Sequence, residues 1–394
     1  MYRKISADCI YTVSSAPIEK GVIVVDREGK ILETGKREDY GSAEIEIYEG
    51  VIVPGFVNAH CHLELSHMKG KIPTGTGLLT FIGNVVRQRS ASEEWIQECI
   101  SQADQYMFDN GIVAVGDISN KTDTFRTKKE SRIRYYTFVE NFDFMQEERT
   151  QATFDMYKVV YDALEETEHT RKSMSPHAPY SMTPKLFELV NSLNKGQQRT
   201  ISIHNQETPP ENDLFLTGQG AFTTFYEDFK MSLSHFRPNG KTSIHYALDY
   251  LDPGQKILFV HNTLTTSEDI RAAQQLIPQT FWATCPNANL YIENRLPDYR
   301  QFLKSNATVT IGTDSLTSNW QLSVLEEIKT ILRYQSYLDF NTVLQWGTLN
   351  GAKALSWEKD LGSIEKGKKP GLVLISNTCA DKVVSDRSQA RRLI

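Results

Sequence analysis

Cysteine is scarce in this sequence, and long apolar runs are absent. The five cysteines among 394 residues are dispersed and form no Cys-x-x-Cys pair, which argues against a disulfide framework and against a thiolate zinc cluster. No stretch approaches the ~18 uninterrupted apolar residues of a membrane helix, and the opening segment lacks the apolar run of a signal peptide. These absences predict a cytoplasmic protein with no membrane partner.

An excess of basic charge is also missing. The chain carries 43 Lys and Arg against 49 Asp and Glu, a formal net charge of −6. Proteins that bind nucleic acid normally present a basic face or stripe, and no such stripe is visible here. We therefore expect a small-molecule substrate and no nucleic-acid partner.

From residue 51 onward, short apolar runs alternate with amphipathic segments, a pattern typical of α/β proteins with parallel strands. Eight such runs match the number of strands in a (β/α)8 TIM-like barrel. The predicted strands are Val51–Phe56, Ile112–Val115, Ile133–Val139, Lys172–Ser175, Thr200–His204, Ile257–His261, Thr280–Ala283 and Thr308–Asp314.

Both chain ends contain short β-like segments outside this alternation. We expect residues 1–50 and 357–394 to form one small β-sandwich domain around a barrel domain of residues 51–356. Within the barrel, residues 205–255 greatly exceed the usual connection of ~2 to 6 residues, which predicts a lid-like insertion at the carboxyl ends of the strands.

Ligand-type side chains occur at the ends of four predicted strands: His60 and His62 at the first, and His204, His261 and Asp314 at the fifth, sixth and eighth. On its own, the His-x-His pair is also compatible with surface or capping histidines. Barrel active sites lie at the carboxyl ends of the strands, so all five side chains should converge. Imidazole and carboxylate donors suit one divalent cation, with zinc favoured and iron or manganese as alternatives.

The segments that carry these residues resemble the deaminase and chlorohydrolase branch of the amidohydrolase superfamily. They are PGFVNAHCHLELS, SPHAPY, HNQET, VHN, CPNANL and GTDSLTSN, in the order of that branch and over nearly the whole chain. The resemblance implies a (β/α) barrel and one divalent metal held by His60, His62, His204 and Asp314, with His261 beside the water bound to that metal. It also implies a homodimer.

Acid–base groups follow from chemistry and from the resemblance together. A divalent metal lowers the pKa of a bound water toward ~7, and Asp314 can accept the proton that the water loses. Glu207 follows His204 by three residues and should lie at the mouth of the site, where the resemblance implies that it moves a proton to and from the substrate. An exposed glutamate without function is the alternative for Glu207.

The resemblance also implies substrate contacts. His177 in SPHAPY would contact the substrate, although a packed, hydrogen-bonded histidine is the alternative. Glu64 would bind the hydroxyls of a ribose-like group, or it could cap a helix or lie on the surface. Glu211 and Phe222 resemble the wall of the pocket in nucleoside-type deaminases, where Phe222 could stack on a purine or simply pack in the core.

The predicted reaction is hydrolytic deamination of an aminated heterocycle. The adenine ring of a modified adenosine of the aminodeoxyfutalosine, S-adenosylhomocysteine or methylthioadenosine type is preferred. A guanine deaminase or a triazine-type chlorohydrolase would use the same metal, aspartate and glutamate. A metal-binding homologue without enzymatic activity is the alternative from another class, but a bare metal site has no need of an acid–base carboxylate such as Glu207.

Overall fold

The computed structural model of this chain describes residues 2–41, 44–379 and 383–394. Segments from both ends form two mainly antiparallel sheets. Ile5, Ile23, Ile52, Leu372 and Leu374 belong to one buried apolar cluster, so the two ends of the chain share a core. The strands are β1 (Tyr2–Ser6), β2 (Cys9–Ile10), β3 (Ile18–Glu19), β4 (Gly21–Asp26), β5 (Ile31–Lys36), β6 (Ile45–Ile47), β7 (Val51–Pro54), β16 (Leu372–Ser376) and β17 (Gln389–Arg392). Their orders in the two sheets are β5-β4-β1-β6 and β17-β16-β7-β2-β3.

One strand prediction is wrong. The predicted strand Val51–Phe56 is divided: β7 pairs with β16 and β2, and only the chain after Gly55 enters the parallel sheet. A side chain at Gly55 would place its Cβ 2.3 Å from Val113 Cγ1 and 2.6 Å from Pro370 O, so glycine is needed where the chain crosses between the sheets. The first parallel strand therefore begins at Phe56.

Two four-stranded parallel sheets occupy the middle of the chain. Most of their residues are buried, as expected for parallel strands covered by helices. The strands are β8 (Phe56–Cys61), β9 (Ile112–Ser119), β10 (Arg134–Asn141), β11 (Thr170–Pro176), β12 (Thr200–Asn205), β13 (Lys256–His261), β14 (Thr280–Thr284) and β15 (Val309–Ile311). Their orders in the two sheets are β11-β10-β9-β8 and β12-β13-β14-β15. Seven of the eight parallel strands were thus predicted at the correct places in the sequence, and the first was not.

The outer strands of the two sheets contact each other on both sides. Between β11 and β12, Ser173 Oγ donates to Thr200 O at 2.6 Å, and His204 N donates to His177 O at 2.8 Å. Between β15 and β8, Asp314 N donates to His60 O at 3.1 Å. These contacts bring the carboxyl ends of all eight strands to one side of the molecule.

Helices connect the strands, and some of them begin at a side chain that caps the first turn. Ser92 Oγ accepts the amide proton of Trp95, and Thr183 Oγ1 accepts that of Leu186. Among the described residues, no helix is both long and apolar enough to cross a membrane. The helices are α1 (Leu78–Gln88), α2 (Glu93–Asp109), α3 (Phe125–Glu130), α4 (Thr150–Ala163), α5 (Pro184–Asn194), α6 (Pro209–Thr217), α7 (Ala221–Asp228), α8 (Ser243–Tyr250), α9 (Ser267–Leu276), α10 (Pro286–Glu293), α11 (Tyr299–Lys304), α12 (Val324–Tyr334), α13 (Phe340–Gln345) and α14 (Gly351–Ala354).

The predicted insertion 205–255 contains regular structure. It folds into α6, α7 and α8, and α6 contacts both of the other helices. The insertion is therefore a small helical unit next to the carboxyl end of β12.

Candidate active site

Three imidazoles and one carboxylate meet at the carboxyl ends of β8, β12 and β15. The Nε2 atoms of His60 and His62 are 3.1 Å apart, and His204 Nε2 lies 3.4 Å from His62 Nε2. Asp314 Oδ1 lies 3.3 Å from His62 Nε2 and 3.6 Å from His60 Nε2. The structure thus brings these four side chains around one point.

The chemistry of these donors fits a divalent cation. Burial lowers the pKa of His60 well below its usual range and also lowers that of His62, so both imidazoles favour the neutral form. The lone pairs of two neutral nitrogens this close repel each other unless a cation or a proton lies between them. Neutral imidazoles with one carboxylate form a typical nitrogen and oxygen donor set for zinc or a similar ion.

His204 is oriented through its second ring nitrogen. Its Nδ1 lies 2.9 Å from His177 O, and because a carbonyl only accepts, Nδ1 carries the proton and Nε2 is left to face His62. Glu140 Oε1, from β10, lies 3.3 Å from the same Nδ1. Burial lowers the pKa of His204, but the Glu140 carboxylate outweighs it and raises that pKa to about 9. The Glu140 carboxylate therefore favours positive charge next to the His204 ring, and a cation bound at Nε2 would supply that charge while the imidazole itself stays neutral.

His261 and Glu207 face each other beside this cluster. His261 Nδ1 lies 2.9 Å from Asn289 Oδ1, so this nitrogen donates and Nε2 is directed toward Glu207 Oε1, 3.6 Å away. Burial raises the pKa of Glu207 well above its usual range, although His204 opposes the shift. A buried, protonated carboxyl group beside a cluster of imidazoles can donate a proton into the site.

A cavity of about 260 Å³ opens onto these groups. Its polar lining includes His62, His204, His261, Glu207 and Asp314, and it continues along an apolar wall. The wall is formed mainly by Leu65, Leu78, Phe81, Ile82, Val85, Phe142, Phe144, Phe225 and Ile292. A cavity with an apolar wall and a few convergent polar groups is typical of a small-molecule site.

Glu64 also lines this cavity and is buried, so the structure does not place it on the surface. Its Oε2 accepts the amide proton of Asn120 at 2.9 Å, and its Oε1 lies 3.4 Å from Arg89 Nη2. Burial raises the pKa of Glu64 to about 7, while Arg89 and the Asn120 amide oppose the shift. The carboxyl group is therefore fixed in place at the cavity surface.

His177 lines the cavity between β11 and the helical unit. Its Nδ1 lies 2.7 Å from Ser181 Oγ, and burial lowers its pKa to about 4. His177 is thus a neutral ring whose orientation is fixed by a hydrogen bond.

Two of the predicted substrate contacts are placed elsewhere. Neither Glu211 nor Phe222 belongs to the described residues that line the cavity. Glu211 is turned into the protein, where it accepts the amide protons of Gln206 and Glu207. Phe222 is fully buried against Tyr180, with ring centroids 4.6 Å apart, whereas its helical neighbour Phe225 reaches the cavity. Phe222 and Phe225 are three residues apart on one short helix, and the sequence does not show which of the two faces the cavity.

Glu140, Asn289 and Asn120 were missed at the sequence level. Glu140 stands at the end of the third parallel strand, so its position in Val139-Glu140-Asn141 was the available signal. Asn289 lies within the CPNANL segment, but only the three-dimensional structure shows that it is the hydrogen-bond partner of His261. Asn120 follows β9 by one residue and contacts both Glu64 and Glu140.

A parallel α/β fold whose strand ends collect imidazoles and a carboxylate at an apolar cavity defines a hydrolase of the metal-dependent type. The chain belongs to the amidohydrolase family, whose family model matches residues 51–389. This match confirms the family resemblance read from the sequence.

Relatives with assigned activities cover most of the chain. This chain is 28% identical over 355 residues to an adenosine deaminase from Helicobacter pylori, and the match covers 87% of this chain and 84% of the relative. It is 25% identical over 349 residues to a 5′-deoxyadenosine deaminase from Methanococcus vannielii, covering 84% and 77%. The crystal structure of Helicobacter pylori aminofutalosine deaminase in complex with methylthio-coformycin has a TM-score of 0.80 and 25% identity, covering 97% of this chain and 94% of that one.

Proposed function

We propose that this chain is a metal-dependent deaminase that removes the amino group from the adenine ring of a modified adenosine by hydrolysis. The observation that carries the proposal is the position of Glu207. Its buried carboxyl group opens onto the same cavity as the cluster of His62, His204 and Asp314 and lies 3.6 Å from His261. The similar proteins include deaminases of adenosine, 5′-deoxyadenosine and aminofutalosine.

In this proposal one divalent metal, zinc in preference to iron or manganese, is held by His60, His62, His204 and Asp314. When bound, such a metal lowers the pKa of a water molecule and so supplies a nucleophile at neutral pH. Four distances of 3.1 to 3.6 Å link these donors to one another, three of them through His62, and they support a single shared ion. Glu140 and the His177 carbonyl hold the His204 ring in place by its far side.

The protein side chains carry the proton transfers. Hydrolysis adds the oxygen of water to the carbon that bears the amino group, and the amine leaves as ammonia. Asp314 accepts a proton from the attacking water, and His261, fixed by Asn289, orients that water through Nε2. Glu207 donates a proton to the adjacent ring nitrogen, which makes the carbon electrophilic. The deprotonated Glu207 then carries the remaining proton of the added hydroxyl group to the leaving amine, and the proton held by Asp314 restores the acid for the next turnover.

Glu64 and His177 complete the proposed site on the substrate side. The Glu64 carboxyl group can accept hydrogen bonds from ribose hydroxyls, because its position at the cavity surface is fixed by Asn120 and Arg89. The neutral His177 ring can contact the nucleoside next to it. The apolar wall of α1, together with Phe142, Phe144 and Phe225, suits an apolar substituent better than a phosphate.

We further propose that the two parallel sheets close into one (β/α)8 barrel and that the terminal sheets form a β-sandwich domain. The hydrogen bonds between β11 and β12 and between β15 and β8 support closure, and the shared apolar cluster of the two ends supports the sandwich. Residues 1–50 and 357–394 would then form one domain and 51–356 the other, with β7 joined to the terminal sheets. A homodimer in the cytoplasm is proposed from the resemblance alone, and sedimentation would test the dimer.

Ammonia release from a substrate panel tests the activity. The panel contains adenosine, 5′-deoxyadenosine, methylthioadenosine, S-adenosylhomocysteine, aminodeoxyfutalosine and guanine, and a chlorotriazine is followed by chloride release. We expect ammonia from at least one 5′-modified adenosine. Turnover of only guanine or only the triazine would reassign the substrate. No turnover of any member by the zinc-loaded protein would favour a binding protein.

A further inference from the structure

A buried carboxylate in the helical unit holds the segment that carries Glu207. Glu211, in the first turn of α6, accepts the amide proton of Gln206 with Oε1 and that of Glu207 with Oε2, both at 2.9 Å. Ser243, the first residue of α8, donates its hydroxyl proton to Glu211 Oε1 at 2.6 Å. Glu211 has no exposed surface, so these three donors are what satisfies its charge.

The backbone at this point needs such support. Gln206 has a φ of +47°, a left-handed conformation that is uncommon for residues other than glycine. This turn directs the chain away from β12 and leaves the amides of Gln206 and Glu207 pointing into the protein. Gln206 is also held by its side chain, since Thr265 Oγ1 donates to its Oε1 at 2.6 Å. The direction in which Glu207 leaves the strand is therefore set by contacts from α6 and the loop before α9.

We propose that Glu211, supported by Ser243, is a positioning residue that fixes the reach of Glu207 into the cavity. The inference rests on the proposed function, in which Glu207 moves the proton. It gives the helical unit of residues 205–255 a part in catalysis, because two of its helices, α6 and α8, provide the groups that hold the acid.

The chemistry of the contacts predicts how substitutions act. Glu211→Gln replaces one acceptor oxygen with an NH₂ group, so at least one buried amide proton faces a donor. Ser243→Ala removes only one of the three donors and leaves both backbone amides bound to Glu211. Glu211 does not line the cavity or contact the four proposed metal ligands, so neither change should remove metal.

The test compares wild type, Glu211→Gln, Ser243→Ala and the control Asp104→Asn in the full-length, zinc-loaded chain. Asp104 accepts hydrogen bonds from Ser131 and Tyr135, away from the cavity. Metal content, kcat and KM for ammonia release are measured for each protein, and the crystal structures of wild type and Glu211→Gln are determined. Wild-type turnover defines whether the proposed function holds before the variants are compared.

We expect Glu211→Gln to keep full metal content and to lose about 10- to 100-fold in kcat, because a displacement of about 1 Å costs this much in a catalytic group. KM should change less than about threefold, Ser243→Ala should show a smaller loss of kcat, and Asp104→Asn should match wild type. In the crystal, Glu207 should move away from its position 3.6 Å from His261.

A kcat within about twofold of wild type, a loss of metal in proportion to activity, or an unmoved Glu207 in the crystal of Glu211→Gln would each overturn the positioning role. If the wild-type protein releases no ammonia from any nucleoside, the proposed function fails on its own. The comparison of the two crystal structures still decides whether Glu211 positions Glu207.

Discussion

Glu140 Oε1 lies 3.3 Å from His204 Nδ1, on the side of the ring away from the Nε2 atom that faces His62. The two side chains come from different parallel strands, β10 and β12, so this contact exists only after the two sheets have come together. It ties the orientation of one proposed ligand to a carboxylate outside the ligand set. Such outer contacts fix the tautomer and raise the basicity of a histidine ligand.

Replacing Glu140 should weaken metal binding without abolishing it. Glu140→Gln removes the negative charge beside His204 Nδ1 but leaves the hydrogen bond to the His177 carbonyl. We expect zinc affinity to fall about 10- to 100-fold, measured by competition with a chelator. An unchanged affinity would mean that the carbonyl alone orients the ring.

Replacing Glu207 should separate catalysis from metal binding. Glu207→Gln has nearly the same shape but cannot donate an acidic proton, so kcat should fall by about 10²- to 10⁴-fold. Zinc content by elemental analysis should stay equal to wild type. Turnover at the wild-type rate would remove Glu207 from the mechanism.

Replacing His60 should release the metal. His60→Ala removes a buried donor whose Nε2 lies 3.1 Å from that of His62, and we expect the purified variant to contain little zinc. His169→Ala is the matched control, since His169 is exposed and pairs only with Glu168 among the salt bridges of the described residues. Equal zinc in the two variants would contradict the proposed ligand set.

Replacing Glu64 should change the recognition of substrate hydroxyls. Glu64→Gln weakens the acceptor at the cavity surface, so kcat/KM should fall more for a ribonucleoside than for its 2′,3′-dideoxy analogue. The ratio of kcat/KM for the two substrates is the measurement. If kcat/KM falls to the same extent for both substrates, Glu64 supports the structure of the site and does not bind the sugar hydroxyls.

The ion pair of Lys128 with Asp117 is fully buried, with Nζ to Oδ2 at 2.6 Å. Asp117→Ala leaves an unpaired lysine in the core, so the free energy of unfolding should fall by about 3 to 5 kcal/mol in chemical denaturation. Lys158→Met breaks the exposed pair with Asp162 and should change the free energy of unfolding by less than about 1 kcal/mol. A similar effect for both variants would show that the buried pair has no special role in stability.

The sequence carried a strong signal for the parallel strands and for ligand-type residues at their ends. Alternation of apolar runs and amphipathic helices located the parallel strands, because that pattern is set by local propensity and burial. Ligand-type residues at strand ends gave five candidates, and only the family resemblance separated the four proposed ligands His60, His62, His204 and Asp314 from His261. The boundary at Val51 was misplaced because an apolar run does not reveal which sheet it joins. Only the close approach of Gly55 to Val113 shows where the chain crosses.

The direction of a side chain within a turn or a short helix was beyond the sequence. Glu207 and Glu211 are glutamates in one segment, yet Glu207 opens onto the cavity and Glu211 accepts hydrogen bonds from backbone amides. On α7, Phe225 lines the cavity, whereas Phe222 packs against Tyr180. These outcomes depend on neighbours that are far away in sequence, such as Ser243 and Tyr180.

The sequence by itself determined the family, the strand order along the chain and the chemical types present in the site, because local pattern and residue identity are enough for these. Tertiary structure alone decided the partners: Glu140 beside His204, Asn289 beside His261, and Glu211 behind Glu207. Each of these contacts joins separate elements or closes a turn. Distances of 2.9 to 3.3 Å between such groups are set by how the sheets and helices pack, and no local pattern encodes them.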